Sequence, residues 1–454
     1  MKGDRRSRRT LLTRLIAVGV ALELLSATGG AAYLIAMDRR PTVSVPPLQA
    51  RPVVDGDIAT ISAAERARRK AAIGALLNRR SVALLRRDRA GFLAGVDAGS
   101  PEFRTRQARL FDNLRAVPLL SWSYLLDANS ELPQSPSRLA RYHAPLWVPR
   151  VDVSYRLAGF DARPLVQRQY DTFVQRAGRW YLGADDDFAD AGGQTGRGLW
   201  DFGPVEVRRT ATSLVLGHPR SAAMLDTVAN VVDAAIPKVT ATWGTDWPGK
   251  VVILLPDTQS ELGRILQEGN DLSQIAAVAT AQLAGSGDGP AGERILINPP
   301  NFAKLGSLGR RVVLTHEITH VATRALTTSA TPTWLAEGFA DYVGYLGSGI
   351  PVPTAAHELA VDIRAGRLPT ALPTAADFAG TNASLAETYE MSWLACRLIA
   401  GTSGTSGLVA LYRQVGTSRG TPAAATEVAL QSALHLSTPA FTRTWRGYLS
   451  RQLG

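Results

Sequence analysis

The sequence contains very little cysteine. Among its 454 residues there is one, Cys396, so no disulfide can form within the chain. Cys396 lies in the apolar run 393–399, which has the pattern of a helix. Burial in apolar surroundings disfavours the reactive thiolate. The sequence therefore predicts a buried structural thiol rather than a nucleophile.

The chain also lacks the charge pattern of a nucleic-acid-binding protein. Its formal charge is +11, but residues 1–40 carry eight basic and three acidic groups, a net of +5. The remainder has no run of lysine and arginine interleaved with aromatic residues. We interpret its charge as a solvated, arginine-rich surface with weak attraction to anionic membranes. No nucleic-acid partner is predicted.

Histidine is scarce as well. The chain has six histidines, and two of them fall in an H-E-x-x-H segment at residues 316–320. Residues four apart in a helix lie one turn above each other on the same face. His316 and His320 can therefore offer two imidazole nitrogens to one metal ion, with Glu317 beside them.

Two histidines leave a catalytic zinc site one protein ligand short, because such sites usually have three protein ligands and a water. The third candidate is Glu337, on a second helix that Pro332 is suited to start. Asp341 lies four residues further on and shares the face of Glu337. It can accept the spare N–H of a zinc-bound histidine. The sequence thus predicts Zn²⁺ held by His316, His320 and Glu337.

The H-E-x-x-H segment, followed by W-L-x-E-G-x-A-D-Y at 334–342, resembles the gluzincin metallopeptidases, the clan of thermolysin and aminopeptidase N. The resemblance implies hydrolysis of a peptide or protein substrate, with Glu317 as the general base. It also implies an edge strand that pairs with extended substrate, for which 275–284 and 294–297 are the candidates, although the alanine-rich 276–284 could equally be helical. Tyr389 matches by order the tyrosine with which aminopeptidase N-like enzymes stabilise the oxyanion.

The sequence departs from these relatives in two ways. Sixteen residues separate His320 from Glu337, somewhat fewer than in thermolysin or aminopeptidase N, so the connection between the two helices must be tight. There is no G-A-M-E-N-like aminopeptidase segment, and we expect an endopeptidase. The alternative is a catalytically inactive envelope scaffold or assembly protein that keeps zinc for stability. The intact Glu317 favours the enzyme.

The first 58 residues predict membrane attachment. Residues 1–14 are strongly basic, and 15–37 form a 23-residue apolar run with one charge, Glu23, which is long enough to cross a bilayer. The basic flank favours a cytoplasmic N-terminus, with the catalytic domain outside the cell membrane. A cleaved signal peptide is the alternative, but no clean A-x-A site precedes Asp38. Residues 38–58 are a predicted linker.

The rest of the chain predicts an α+β fold in two domains. Residues 59–190 place helices before strand-like segments at 119–126, 151–157, 167–175 and 179–184. This order suggests an α+β cone and resembles nuclear-transport-factor-2-like domains. We assign this domain to binding, spacing or assembly with an envelope protein partner. Residues 200–454 form the predicted zinc metallopeptidase domain, mostly helical beyond residue 346.

Overall fold

The computed structural model describes residues 62–132, 136–189, 193–267, 275–283 and 290–454. The predicted basic flank, membrane span and linker, which end at residue 58, lie outside these residues. The described chain mixes helices and strands, as the α+β prediction requires.

The N-terminal region, residues 62–189, begins with helices and continues with two small antiparallel sheets. Its helices are α1 (Ala63–Leu85), α2 (Arg89–Leu93), α3 (Pro101–Asn113) and α4 (Pro136–Tyr142). Its strands are β1 (Leu119–Glu131), β2 (Leu146–Trp147), β3 (Pro149–Leu157), β4 (Leu165–Tyr170), β5 (Thr172–Arg176) and β6 (Arg179–Ala184). Strands β1, β3 and β4 form one sheet, and β2, β5 and β6 form the other.

One strand prediction in this region is wrong. Residues 167–175 are not a single strand, because β4 ends at Tyr170 and β5 begins at Thr172, and these two strands belong to different sheets. The chain turns at Asp171, which is 2 % exposed. No glycine or proline marks this break, so the strongest turn residues do not reveal it in the sequence.

The C-terminal region is built on a mixed five-stranded sheet with the order β10-β11-β9-β8-β7. Its strands are β7 (Glu206–Arg209), β8 (Ser213–Gly217), β9 (Val251–Leu255), β10 (Ala277–Leu283) and β11 (Pro290–Ile297). Strand β9 pairs in parallel with β8 and β11, whereas β10 pairs antiparallel with β11. Strand β10 therefore lies at an edge of this sheet, in the part of the chain predicted to supply an edge strand.

Helices cover one face of this sheet, and a single short helix lies on the other. The first set is α5 (Ala222–Trp243), α7 (Pro299–Lys304), α8 (Ser307–Thr323), α9 (Thr333–Tyr345), α10 (Val352–Ala355), α11 (His357–Arg364), α12 (Leu385–Gly416), α13 (Pro422–Leu434) and α14 (Thr438–Leu453). Helix α6 (Gln259–Leu266) buries Leu262 in the core on the opposite face. Helix α8 packs against α5, α9 and β10, and α9 packs against α12. The two helices of the predicted metal site thus lie in the middle of the C-terminal core.

The five-stranded sheet is buried on both faces. Alternate side chains of a strand point to opposite sides. Along β9, Val251, Ile253 and Leu255 point into the core formed with the C-terminal helices. Val252 and Leu254 point into a core shared with the N-terminal region. The N-terminal region therefore packs directly on the sheet as a further layer of the fold.

A buried ion pair links the sheet to the N-terminal region that packs on it. Arg294 of β11 donates from Nη1 and Nη2 to the two carboxylate oxygens of Asp161, each at 2.8 Å. Both side chains are 3 % exposed. Such a buried pair is tolerated only while both partners are present, because either charge alone would have neither a counter-charge nor water beside it. The pair therefore fixes β11, and its neighbour β10, against the N-terminal region.

Among the described residues one helix, α12, is long and apolar enough by composition to cross a membrane. Gly404 interrupts it with φ 76° and ψ 166°, so that two shorter helices meet at a kink. Its first part buries the polar side chains of Thr388, Glu390 and Ser392 and packs against α9. We therefore interpret α12 as a core helix, which meets the same composition test.

Candidate metal centre

Two buried helices form the centre of the predicted site. Every residue of α8 from Val312 to Thr323 is buried, and so is every residue of α9. The connection between them contains a short 3₁₀ turn at Arg324–Leu326 and ends at Pro332, the N-cap of α9. This tight connection places successive turns of α8 beside the middle of α9.

The three predicted ligands converge. Oε2 of Glu337 lies 3.2 Å from Nε2 of His316 and 3.4 Å from Nε2 of His320. The two Nε2 atoms lie 2.9 Å apart. One ligand atom from each side chain falls within 4.8 Å of the others, and no side chain is more than 2 % exposed. This buried His-His-Glu group could hold a metal ion.

Asp341 orients one of the two histidines. Its Oδ1 lies 2.8 Å from Nδ1 of His316. A proton on Nδ1 donates to this carboxylate and leaves the lone pair of Nε2 directed at the other ligands, an arrangement common around metal-bound histidines. The sequence-predicted partner is therefore in the expected position.

The donor set fits a divalent cation. Among the described residues, neither carboxylate oxygen of Glu337 has a hydrogen bond of acceptable geometry, although Glu337 is fully buried. An uncompensated buried carboxylate is strongly destabilising. Two imidazole nitrogens turned towards each other also need a shared proton or cation between them. A metal bound to His316, His320 and Glu337 would satisfy all of these atoms.

The electrostatics of the cluster favour the ligand form of Glu337. Burial alone would raise its pKa, but attraction to the imidazoles of His320 and His316 outweighs burial and lowers the pKa to about 2. For His316 the signs are reversed. Burial alone would lower its pKa, but the carboxylates of Asp341 and Glu337 outweigh burial and raise the pKa well above its ordinary value. The cluster therefore holds an ionised Glu337 and attracts positive charge.

Glu317 lies outside the ligand set. Its Oε2 accepts the backbone N–H of Ala279 in β10 at 2.8 Å, and its Oε1 has no hydrogen-bond partner among the described residues. Burial raises the pKa of Glu317 above its ordinary value, against the attraction of His316 and His320. The carboxylate is thus held at the sheet edge with one oxygen available for proton transfer.

Gly338, directly after the candidate ligand Glu337, allows two helices to meet. A Cβ at this position would lie 2.2 Å from the carbonyl oxygen of Ser392 in α12. Glycine is therefore required by the close approach of α9 to α12, and this contact supports the turn of helix that carries Glu337. The motif contains this glycine, but sequence alone does not show what it packs against.

Tyr389 and Cys396 both lie in the core on α12. The ring of Tyr389 is 5 % exposed and packs edge-on against Phe378, with centroids 5.0 Å apart. Its catalytic role stays a prediction. Cys396 is fully buried, as predicted, and burial raises the pKa of its thiol well above the ordinary value.

Arg324 is a further residue beside the cluster, and neither sequence motif includes it. Its side chain is 6 % exposed, and Nη2 donates to the carbonyl oxygen of Ala279 at 3.3 Å. Arg324 follows His320 by four residues, so helical spacing places it on the metal-facing side of α8. That spacing is the signal by which the sequence could have revealed it.

The fold and site together define the class of protein as an α+β protein with a buried His-His-Glu cluster that could hold a metal ion. No family model matches the chain, and no curated protein matches it in sequence.

Proposed function

We propose that this chain is a zinc-dependent peptidase of the gluzincin type. One observation carries the proposal: His316, His320 and Glu337 converge on a common point, while Glu317 stays out of the ligand set. A site that only held a metal for stability would have no need of a buried carboxylate with a free oxygen beside its ligands. Two imidazoles and one carboxylate are a ligand set typical of catalytic zinc.

Each residue has a separate part in the proposed hydrolysis. His316, His320 and Glu337 would hold the zinc, which would supply a water of lowered pKa and a Lewis acid for the scissile carbonyl. Glu317 accepts the proton of the attacking water at Oε1 and later passes it to the leaving amine. Asp341 keeps Nδ1 of His316 protonated, so that Nε2 remains a ligand. Strand β10, at the edge of the sheet, orients an extended peptide.

Membrane attachment is part of the proposal. The apolar run at 15–37 and the basic flank before it support a single-pass anchor with a cytoplasmic N-terminus and an extracytoplasmic catalytic domain. Endopeptidase action and the nuclear-transport-factor-2-like character of the N-terminal region belong to the same proposal. An envelope protein is the partner proposed for that region.

A structural zinc site is the second candidate. Its support is the burial of the site, because His316, His320 and Glu337 are 0–2 % exposed and structural zinc sites are closed to solvent. In that case the chain is a scaffold or assembly protein that uses zinc for stability.

Metal removal and replacement distinguish the two candidates. Full-length protein in detergent is stripped with a chelator, restored with one equivalent of Zn²⁺, and incubated with a mixture of unstructured peptides. The peptidase proposal predicts internal cleavage that is lost on stripping and returns with zinc. Zinc-dependent thermal stability without any cleavage would instead support the scaffold.

A further inference from the structure

A buried arginine lies next to the proposed catalytic base. Arg324 opens the 3₁₀ turn after α8, and its guanidinium is held at two points. Nε donates to Oε1 of Glu293 at 3.2 Å, and Nη2 donates to the carbonyl oxygen of Ala279 at 3.3 Å. Because both contacts come from β10 and β11, the guanidinium is fixed at the sheet edge that faces the metal ligands.

Ala279 joins the arginine to the base. Its N–H donates to Glu317, and its carbonyl oxygen accepts from Arg324. Glu317 and Arg324 are seven residues apart, about 10.5 Å along a helix axis at 1.5 Å per residue. Helical side chains lean towards the N-terminus, so the long arginine side chain extends towards Glu317. Burial lowers the pKa of Arg324, and attraction to the carboxylates of Glu293 and Glu317 opposes that shift.

The third nitrogen of the guanidinium makes no hydrogen bond within the described part of the chain. Nη1 of Arg324 is buried and has no hydrogen-bond partner among the described residues. A buried N–H without an acceptor is destabilising, and a catalytic role is one of the reasons for which a protein keeps such a group. Glu293 already balances the charge of Arg324, so the free N–H suits an oxygen that gains negative charge during a reaction better than a permanent carboxylate.

We propose that Nη1 of Arg324 donates a hydrogen bond to the carbonyl oxygen of the scissile peptide bond and stabilises the negative charge that develops there. This inference rests on the proposed peptidase function and assigns to Arg324 the part that the gluzincin resemblance implies for Tyr389. As water adds to the carbonyl carbon, the π-electron pair moves to the oxygen. Glu317 takes the proton, and Arg324 stays protonated throughout.

The test uses zinc-loaded, full-length protein and one peptide in two forms, the first blocked at both ends by acetylation and amidation and the second with a free C-terminal carboxylate. The variants are Arg324→Lys and Arg324→Gln, and Arg311→Gln, an exposed position on α8, is the control. Loss of one oxyanion donor lowers kcat by about 10²–10³-fold. We expect that loss for both Arg324 variants with KM changed by less than about threefold, and near-normal kcat for the control.

A binding measurement supplies a readout that does not depend on turnover. A peptide phosphonamidate carries a tetrahedral anion in place of the scissile bond. Calorimetry should show that Arg324→Gln weakens its binding by the same factor as kcat/KM, while a cleaved product peptide binds as before. Glu293→Gln, which removes the negative charge beside Arg324 but keeps an acceptor and the donor, should give an intermediate loss. If Arg324→Gln does not fold, Arg324→Lys carries the same comparison.

Three results would overturn the inference. Equal kcat in wild type and Arg324→Lys, with the wild type active, removes the oxyanion role and leaves the peptidase proposal intact. A loss confined to peptides with a free C-terminal carboxylate makes Arg324 a specificity residue instead. If the zinc-loaded wild type cleaves no peptide at all, the peptidase proposal fails, and this inference fails with it.

Discussion

Nδ1 of His316 lies 2.8 Å from Oδ1 of Asp341, although the two residues are 25 positions apart on different helices. Asp341 therefore orients His316 and is not itself one of the three candidate metal ligands. A substitution of Asp341 tests the orientation of His316 without removing a ligand.

Asp341→Asn should weaken zinc binding without abolishing it. The amide oxygen still accepts the Nδ1 proton of His316, but the negative charge is lost, and changes of this kind reduce metal affinity or activity by roughly 10–100-fold. Competition with a chromophoric chelator measures the affinity. Asp246→Asn, which alters a surface ion pair with Arg413, is the control and should not change it. Unchanged affinity in Asp341→Asn would refute the role assigned to Asp341.

Gly338→Ala should destabilise the protein by about 1–3 kcal/mol, the usual cost of overpacking a core. The added methyl group would lie 2.2 Å from the carbonyl oxygen of Ser392, so α9 must move and carry Glu337 with it. Urea unfolding and zinc titration measure the two effects. In Gly401→Ala, on α12, the added methyl group has no neighbour within 4 Å. This control should be neutral or stabilising by up to about 1 kcal/mol. Equal stability of the two variants would contradict the packing described here.

Asp161→Ala should destabilise the fold by about 3–5 kcal/mol, because it leaves the buried Arg294 without its partner. The double variant Asp161→Leu with Arg294→Met should recover part of that loss, since neither charge remains. Because the two regions share one hydrophobic core, unfolding should be a single transition. Lys250→Met, which removes an exposed contact with the carbonyl oxygen of Gly159, is the control. Separate transitions for the two regions would show that they are independent.

Glu390 should make stability depend on pH. Burial raises the pKa of Glu390 well above its ordinary value, and a hydrogen bond and repulsion from Glu358 add to the effect. The pKa of Glu390 is therefore higher in the folded chain than in the unfolded chain. At pH values between these two pKa values the folded chain binds more protons, so the free energy of unfolding falls as the pH rises through this range.

Glu390→Gln should remove this dependence. The amide stays neutral, and its oxygen can still accept the N–H of Leu359, now at 2.7 Å from Oε2. With zinc saturation held constant, the gain of the variant over wild type in urea unfolding should be larger at pH 8 than at pH 5. Glu102→Gln, at the exposed start of α3, is the control. An equal gain at both pH values would count against a raised pKa of Glu390.

The local geometry of the site could be predicted because it follows from helical spacing. Positions 316, 320, 337 and 341 fall on two helix faces by their numbers alone, and the structure brings them together. At β10 the sequence left strand and helix open, and the structure forms the strand. Contacts between distant segments have no such periodic signal. Arg294 and Asp161 are 133 residues apart, and nothing local indicates their pairing.

The same limit explains the missed residues. Arg324 belongs to the site because Glu293 and Ala279 hold it, and those contacts come from strands that precede α8 in the chain. The glycine of the E-G-x-A-D segment was visible, but its close contact with Ser392 depends on where α12 packs. The positions of Arg324 and Gly338 both depend on how distant elements pack together. Hydrophobic periodicity describes each element separately and does not show that packing.

The most direct measurement of the central claim compares wild-type protein with Glu317→Gln for zinc content and peptide hydrolysis. The amide oxygen can keep the hydrogen bond from Ala279, and none of the three ligands is changed. Zinc should remain near one per chain, while hydrolysis falls by at least ~10²-fold, the low end of general-base contributions. Glu337→Ala, by contrast, should lose metal and activity together. If zinc-loaded Glu317→Gln hydrolyses every peptide as fast as wild type, the peptidase account is contradicted.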